Sequence, residues 1–272
     1  MKSHGDPTGT ENVTDICYLC GEEITSEHVN SADHAVPRQL IARKQPKAKG
    51  FDYGGSLPTH EPCNNRFGPE NYCIKALRLI TVLSDPQCVW EFGQNRVMGI
   101  NADCLKEFTE QDLEFFKIID VRKNSVHDLT MPRFFEGKPR TNIRKEVLFV
   151  ALAVLTKSAA ALLVSRYLHE VPSHWRVLAM PYSGATEAAD FDEFLGNTKP
   201  FDVGVKVWLK PFNSGDWFAL YRAYGALVFS LFRFSHDDTI WNGMLDRFQR
   251  AQRLSFEGAR LNDLINYHWQ QV

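Results

Sequence analysis

Two short pairs of metal-binding side chains are the residues of this chain best suited to chemistry. Cys17 and Cys20 are separated by two residues, and His60 and Cys63 repeat that spacing farther along the chain. Two intervening residues allow one tight turn to direct both side chains at a single ion. Four nitrogen and sulfur ligands then make a closed, tetrahedral structural zinc site. The pattern therefore predicts one zinc ion bound by all four residues.

Two other interpretations of these residues stay open. The cysteines could be buried thiols with His60 at the surface, or they could form a disulfide. The second pair, which is followed at once by Asn64-Asn65-Arg66, favours zinc over unrelated thiols. The first ten residues are polar and contain no apolar signal segment, which argues against the oxidising compartments where disulfides form.

An Asp-His dipeptide lies between the two pairs. Asp33-His34 is followed by Pro37, and the second pair continues as Cys63-Asn-Asn-Arg-Phe-Gly68. With these motifs, residues 17–68 resemble the HNH endonucleases, a ββα-metal fold family that hydrolyses the phosphodiester bonds of nucleic acid. The rest of the chain carries no such resemblance. One ligand departs from the family pattern, because cysteine is usual at the position of His60.

The resemblance implies a role for each residue of the dipeptide. It implies that Asp33-His34 lies on the second strand of a hairpin and that His34 is the general base for the attacking water, since imidazole titrates near neutral pH. Asp33 would help to hold a divalent metal, with Asn64 of the following helix as the second ligand and Asn65 as the alternative. Such oxygen ligands suit Mg²⁺ or Mn²⁺ better than zinc.

A second dipeptide, Glu27-His28, competes for the same role. Some relatives have Glu-His at this position, but no proline follows His28 at the required distance, which favours His34. The central asparagine of the family is absent, and Ser56 stands in its place. Because that asparagine usually orients the base, its absence predicts lower efficiency rather than different chemistry.

Nucleic-acid contact is predicted for the loop after the dipeptide. The formal net charge of −2 gives no general affinity for nucleic acid, so binding must come from local patches. Beside the candidate site, residues 38–49 carry basic side chains and no acidic one, and Arg66 follows the second pair. A solvated loop is the alternative, and a second basic stretch spans residues 131–145. The predicted phosphate contacts are Arg38, Arg43, Lys44, Lys47, Lys49 and Arg66.

The composition, 44% apolar and 24% charged, is ordinary for a soluble protein. The predicted mixture of helices and strands indicates the α+β class. We expect a flexible lead-in at 1–14, a zinc-stapled ββα-metal domain at 15–85, and a larger α+β domain of unassigned role at 86–272. A long helix from Asn142 to about His169 should be central to the larger domain. Strands are predicted within 88–100 and at 176–180, 203–209, 217–222 and 226–234. Helices are predicted at 69–84, at 110–119 and from Asp238 onward.

The sequence thus favours a metal-dependent endonuclease with structural zinc and catalytic Mg²⁺ or Mn²⁺. The joint presence of Asp33, His34 and Asn64 distinguishes it from two alternatives: a zinc-stabilised module that binds nucleic acid without cleavage, and a zinc adaptor for protein partners. The resemblance implies DNA rather than RNA as substrate, and a role in phage defence or a mobile element. No membrane partner is expected, and a cytoplasmic location fits the cysteine usage.

Overall fold

The protein is described here by a computed structural model that contains both helices and antiparallel sheets, which confirms the α+β class. The described residues are 15–27, 30–37, 55–67, 91–92, 97–99, 119–120, 141–143, 145–168, 170–182, 195–202, 205–223, 226–247 and 254–265.

The N-terminal part of the chain is a two-stranded sheet followed directly by a short helix. Strand β1 (Asn30–His34) pairs antiparallel with β2 (Ser56–His60), so that the two ends of the ladder are Asn30 opposite His60 and His34 opposite Ser56. Helix α1 (Glu61–Asn65) begins without a connecting loop, and a proline in its first turn suits a position whose N–H needs no partner. The order of elements is strand, strand, helix.

The dipeptide lies on the first strand of this pair, so its predicted placement on the second strand is wrong. Upstream of β1, the described residues form only an isolated bridge between Ile16 and Glu23. The intervening residues are used for the turn that carries Cys17 and Cys20, which leaves no room for a longer ladder.

A small four-stranded sheet follows, made of very short strands. It has the order β3 (Glu91–Phe92), β4 (Val97–Gly99), β6 (Thr141–Ile143) and β5 (Ile119–Asp120). The predicted strands within 88–100 are confirmed. Asn142 does not cap a helix as predicted, because its backbone is extended and pairs with Met98 and Ile119. The predicted helix at 69–84 lies outside the described residues. So does the predicted helix at 110–119 except for its last residue, Ile119, which is extended in β5 and not helical.

Helix α2 (Lys145–Arg166) has 22 residues and is buried on every side from Val150 to Val164. It packs against strands from both halves of the chain, including β2. This burial explains why its sequence shows no polar face. Among the described helices, none combines the length and apolar character needed to cross a membrane.

The largest sheet has six antiparallel strands. Their spatial order is β12 (Leu254–Gly258), β7 (Trp175–Tyr182), β11 (Ala226–Arg233), β10 (Trp217–Ala223), β9 (Lys206–Pro211) and β8 (Phe201–Asp202). The predicted pairing of 217–222 with 226–234 is confirmed, as are the strands at 176–180 and within 203–209. Trp208, Phe229 and Phe232 are buried in the core.

The C-terminal segment is not helical throughout, which corrects the prediction for residues after Asp238. Helix α3 (Thr239–Arg247) is followed by β12, which pairs with β7. Leu254 and Phe256 are buried while Ser255 and Glu257 are exposed. That alternation is the period of a strand with one face in a core.

One hydrophobic core joins the N-terminal part to the large sheet. Cys17, Tyr18, Leu19, Val36 and Phe67 are buried in the same cluster as α2 and the sheet residues that face it. The other face of the sheet carries a second cluster, which includes Met180, Leu195 and Trp208. The described part of the N-terminal segment therefore packs against the rest of the chain. The predicted domain boundary near residue 85 and the lead-in at 1–14 lie outside the described residues.

Asp216, in the turn between β9 and β10, closes one end of the sheet. Its buried carboxylate accepts the backbone N–H groups of Phe234 and Ser235, each at 2.8 Å, and the Ser235 hydroxyl at 3.0 Å. We expect Asp216→Ala to lower the free energy of unfolding by about 1–3 kcal/mol, because two half-buried backbone donors lose their acceptor. Asp216→Asn keeps an acceptor oxygen and should cost less than half as much in urea denaturation. Equal losses in the two variants would contradict this role.

Candidate metal centre and the hairpin beside it

The four residues of the predicted zinc site come together in space. The sulfur atoms of Cys17, Cys20 and Cys63 and a ring nitrogen of His60 all lie within 4.8 Å of one another. A tetrahedral zinc ion with bonds of about 2.0–2.3 Å separates its ligand atoms by about 3.3–3.8 Å. Three thiol groups and one imidazole are also the donor set that zinc prefers. The cluster therefore fits a metal such as zinc in both chemistry and size.

A tight turn positions the first pair. The Cys17 carbonyl accepts the Gly21 N–H at 2.8 Å, and the Cys17 N–H donates to the Glu22 carbonyl at 2.9 Å. Gly21 has a φ of +79°, in the left-handed region that glycine adopts without steric cost. The turn directs both thiol groups to the same side, which is what the two-residue spacing predicts.

His60 is held in the orientation that a metal ligand needs. Its Nδ1 lies 3.3 Å from the Cys20 sulfur, while Nε2 lies 3.2 Å from the Glu23 carbonyl oxygen. A carbonyl can only accept, so Nε2 carries the proton and Nδ1 presents its lone pair to the cluster. His60 is also the last residue of β2 and the residue before α1, so the second pair sits at a rigid junction.

The three thiol groups do not titrate alike. A hydrogen bond from Cys63 lowers the pKa of Cys17 to about 5, and donating that bond raises the pKa of Cys63. Burial raises the pKa of Cys20. The cluster thus favours one thiolate that shares the protons of its neighbours, an arrangement that a divalent ion can replace with direct bonds to all three sulfurs.

Asn262, from the segment after β12, supports the cluster from a second side. Its side-chain N–H group donates to the Cys63 sulfur at 3.0 Å, and its backbone N–H donates to the Leu19 carbonyl at 2.9 Å. The side-chain oxygen of Asn262 is buried with no hydrogen-bond partner among the described residues. An N–H group directed at sulfur suits a metal-bound thiolate, since N–H···S bonds stabilise the negative charge there.

Asp33 is buried and ion-paired. Its oxygen Oδ2 lies 2.6 Å from the Lys157 ammonium group of α2 and also accepts the Tyr18 hydroxyl. Burial and the neighbouring carboxylate raise the pKa of Tyr18 well above its ordinary value, so that hydroxyl stays protonated and donates. Asp33, on strand β1, therefore connects the turn that carries Cys17 and Cys20 to helix α2.

His34 is the last residue of β1 and is half-buried. Both of its neighbours are held by α2, since Lys157 pairs with Asp33 and the Ser158 hydroxyl donates to the Ala35 carbonyl. Successive strand residues point to opposite faces, so His34 projects from the face opposite Asp33. The helix thus holds the residues on both sides of His34, and strand alternation places the imidazole on the face that does not carry Asp33.

Asn64 lies on the same side of the hairpin as Asp33. Its side-chain N–H group donates to the Ser31 hydroxyl at 2.7 Å, and Ser31 precedes Asp33 by two residues on β1. The amide and carboxylate oxygens have the chemistry for Mg²⁺. The arrangement does not fit such an ion at Asp33 Oδ2, however, because an ammonium group already occupies the cation position there. Asp33 and Asn64 as catalytic metal ligands stay a prediction.

The remaining predicted residues are only partly described. Asn65, Glu27 and Ser56 are exposed, and Ser56 faces His34 across the strand pair. Arg66 lies 3.5 Å from Asp263, in an ion pair that is about two-fifths exposed on both sides. The rival base and the basic loop lie outside the described residues: His28, Arg38, Arg43, Lys44, Lys47 and Lys49.

Sequence reasoning missed four residues that support this region: Tyr18, Lys157, Ser158 and Asn262. The polar triplet 156–158 was visible as an interruption of an apolar helix, and a buried lysine in such a position needs an acidic partner. Nothing in the sequence pointed to Asn262. Comparisons of the chain with protein-family models, with curated proteins and with solved structures found no match.

Purified protein should contain about one equivalent of tightly held zinc by elemental analysis. Cys17→Ser should lose the metal and loosen the N-terminal part, because the remaining ligands cannot complete the tetrahedron. Cys88→Ser, outside the four-residue cluster, is the matched control and should keep its zinc. Full zinc content in Cys17→Ser would contradict the assignment.

Asn262→Ala should weaken zinc retention by roughly tenfold or more, because the Cys63 thiolate loses a hydrogen bond. The rate of zinc loss to a chelator measures this effect. Asp263→Ala removes the neighbouring exposed carboxylate and should leave that rate nearly unchanged. If both variants release zinc at the rate of the unaltered protein, Asn262 does not support the site.

Proposed function

We propose that this protein is a metal-dependent endonuclease of the HNH type, which hydrolyses phosphodiester bonds of nucleic acid, with DNA the expected substrate. The observation that carries the proposal is the order of elements around the candidate zinc centre. A strand ending in Asp33-His34 and a strand ending in His60 are followed at once by a helix that carries Cys63 and Asn64. This arrangement agrees with the ββα unit that the sequence motifs imply.

His34 is the residue of this set best suited to act on substrate. It stands at the end of β1, half-buried, and its two chain neighbours are held by α2. A neutral imidazole there takes the proton of a water molecule that attacks the phosphorus atom in line with the leaving oxygen. A bound Mg²⁺ or Mn²⁺ would supply stabilisation of the negative charge on that oxygen.

Substrate binding in this proposal relies on phosphate contacts. Residues 38–49, which follow Pro37 in the sequence, carry five basic side chains and no acidic one. Their side chains would neutralise backbone phosphates on either side of the bond to be cut, without reading the base sequence. Arg66 is a weaker candidate, because its guanidinium already has a carboxylate partner in Asp263.

A second candidate function is a zinc-stabilised module that binds nucleic acid without cutting it. The observation that favours it is the buried pair of Asp33 with Lys157, since a carboxylate engaged with an ammonium group is not free to hold a catalytic metal. The zinc centre, the hairpin and the basic loop would be retained for binding alone. Cleavage assays distinguish the two functions.

The test is to incubate the purified protein with plasmid DNA and Mg²⁺ or Mn²⁺. We expect nicking or linearisation, and we expect His34→Ala to reduce the rate by about two to four orders of magnitude with little change in DNA binding. The physical reason is that the base acts on the attacking water only in the transition state. Binding is measured in parallel by gel shift.

His28→Ala is the matched control, because it removes the imidazole of the rival dipeptide and should leave cleavage intact. Loss of cleavage in His28→Ala with retention in His34→Ala would move the base to Glu27-His28. If the unaltered protein binds DNA and cuts nothing with either metal, the nuclease proposal fails and the binding module is the better account.

A further inference from the structure

Lys157 is a buried cation at the point where the N-terminal unit meets the long helix. Its side chain is 4% exposed and its ammonium nitrogen lies 2.6 Å from Asp33 Oδ2, in a carboxylate that is 9% exposed. The same nitrogen stands 5.0 Å from the centre of the Phe67 ring, just beyond α1. Lysine is almost never buried to this extent without a dedicated partner. Here Asp33 of the hairpin and the Phe67 ring both contact the ammonium group.

Stability alone is a weak reason for such a pair. Removing two charges from water costs about as much as their attraction returns, so a buried ion pair is often no better than two apolar side chains. The shared oxygen also accepts the Tyr18 hydroxyl, which concentrates donors on the one carboxylate of the proposed metal site. The pair therefore has a consequence for ion binding that an apolar contact would lack.

An ammonium group and a divalent ion cannot occupy the same carboxylate oxygen. The two cations would lie within a few ångströms of each other in a region of low dielectric, where their repulsion is strong. A divalent ion must therefore displace Lys157 from Asp33 before it binds there. The free energy that this displacement costs makes the binding of the ion less favourable, so the apparent affinity of the site is lower.

We propose that the Lys157 ammonium group occupies the cation position beside Asp33 and thereby lowers the affinity of the hairpin for divalent metal ions. This inference rests on the proposed function, in which Asp33 belongs to a metal-binding site. Lys157 is a positioning residue, since it acts through Asp33 and contacts no substrate. With Lys157 in place the site resists Mg²⁺ and Mn²⁺.

The test measures Mn²⁺ binding to the zinc-loaded, full-length protein in the absence of nucleic acid. Bound Mn²⁺ is quantified by electron paramagnetic resonance, from the loss of the signal of the free ion. Lys157→Met removes the charge and keeps the length, so it should bind Mn²⁺ about tenfold or more tightly than the unaltered protein. Lys157→Arg keeps the charge and should bind as weakly as the unaltered protein. Combining Lys157→Met with Asp33→Asn should remove the gain.

Equal affinity in Lys157→Met and the unaltered protein would overturn the inference, as would a gain that survives Asp33→Asn. Zinc content and circular dichroism show whether Lys157→Met has folded. If it has not, Lys157→Gln takes its place, because it removes the charge and keeps a polar group that can donate to Asp33. It should bind Mn²⁺ more tightly than Lys157→Arg, and equal affinity in these two variants would overturn the inference. Cleavage plays no part in these measurements, so a failed nuclease assay overturns only the proposed function.

Discussion

The buried polar triplet of α2 is the constraint on which the arrangement of the described chain depends. Thr156 contacts the Ser230 hydroxyl of β11 at 3.0 Å, Lys157 pairs with Asp33 of β1, and Ser158 donates to the Ala35 carbonyl and contacts the Tyr221 hydroxyl. A helix that is apolar on all sides could slide or rotate in its core at little cost. Three consecutive polar side chains, each with its own partner, allow only one register, because any shift leaves buried donors and a buried charge unpaired.

The candidate zinc centre depends on the same contacts. Tyr18, which lies between Cys17 and Cys20, donates its hydroxyl to Asp33. Asn262, about two hundred residues farther along the chain, donates to the Cys63 sulfur. A unit of this size usually needs its metal to fold, because its own core is too small. Here the buried residues around Cys17 also join the core beneath α2. Metal binding at the candidate centre would therefore stabilise the same region as this packing, and loss of either should loosen both.

Sequence patterns predicted the parts of this structure that local chemistry decides. The spacing of Cys17, Cys20, His60 and Cys63 was sufficient to predict that their side chains come together. A tight turn between two ligands that are separated by two residues directs both at the same point. The strands at 217–223 and 226–233 were equally readable. Failures arose where pairing partners are distant: Asn142 looked like a helix cap and is held in a strand by Met98, and Leu254–Gly258 lies beside β7. The roles of Lys157 and Asn262 depend on contacts across more than a hundred residues, which no local pattern encodes.

The position of Asp33 explains why one sequence motif supports two functions. On the sequence alone, Asp33-His34 is a pair of neighbours that act together, but strand alternation separates them to opposite faces of the hairpin. The carboxylate turns inward to the helix, where it meets a cation of the chain itself, and the imidazole turns outward. In the proposed function, both groups would act near one phosphate. The contact between α2 and β1 would then decide whether the hairpin cleaves nucleic acid or only supports its binding.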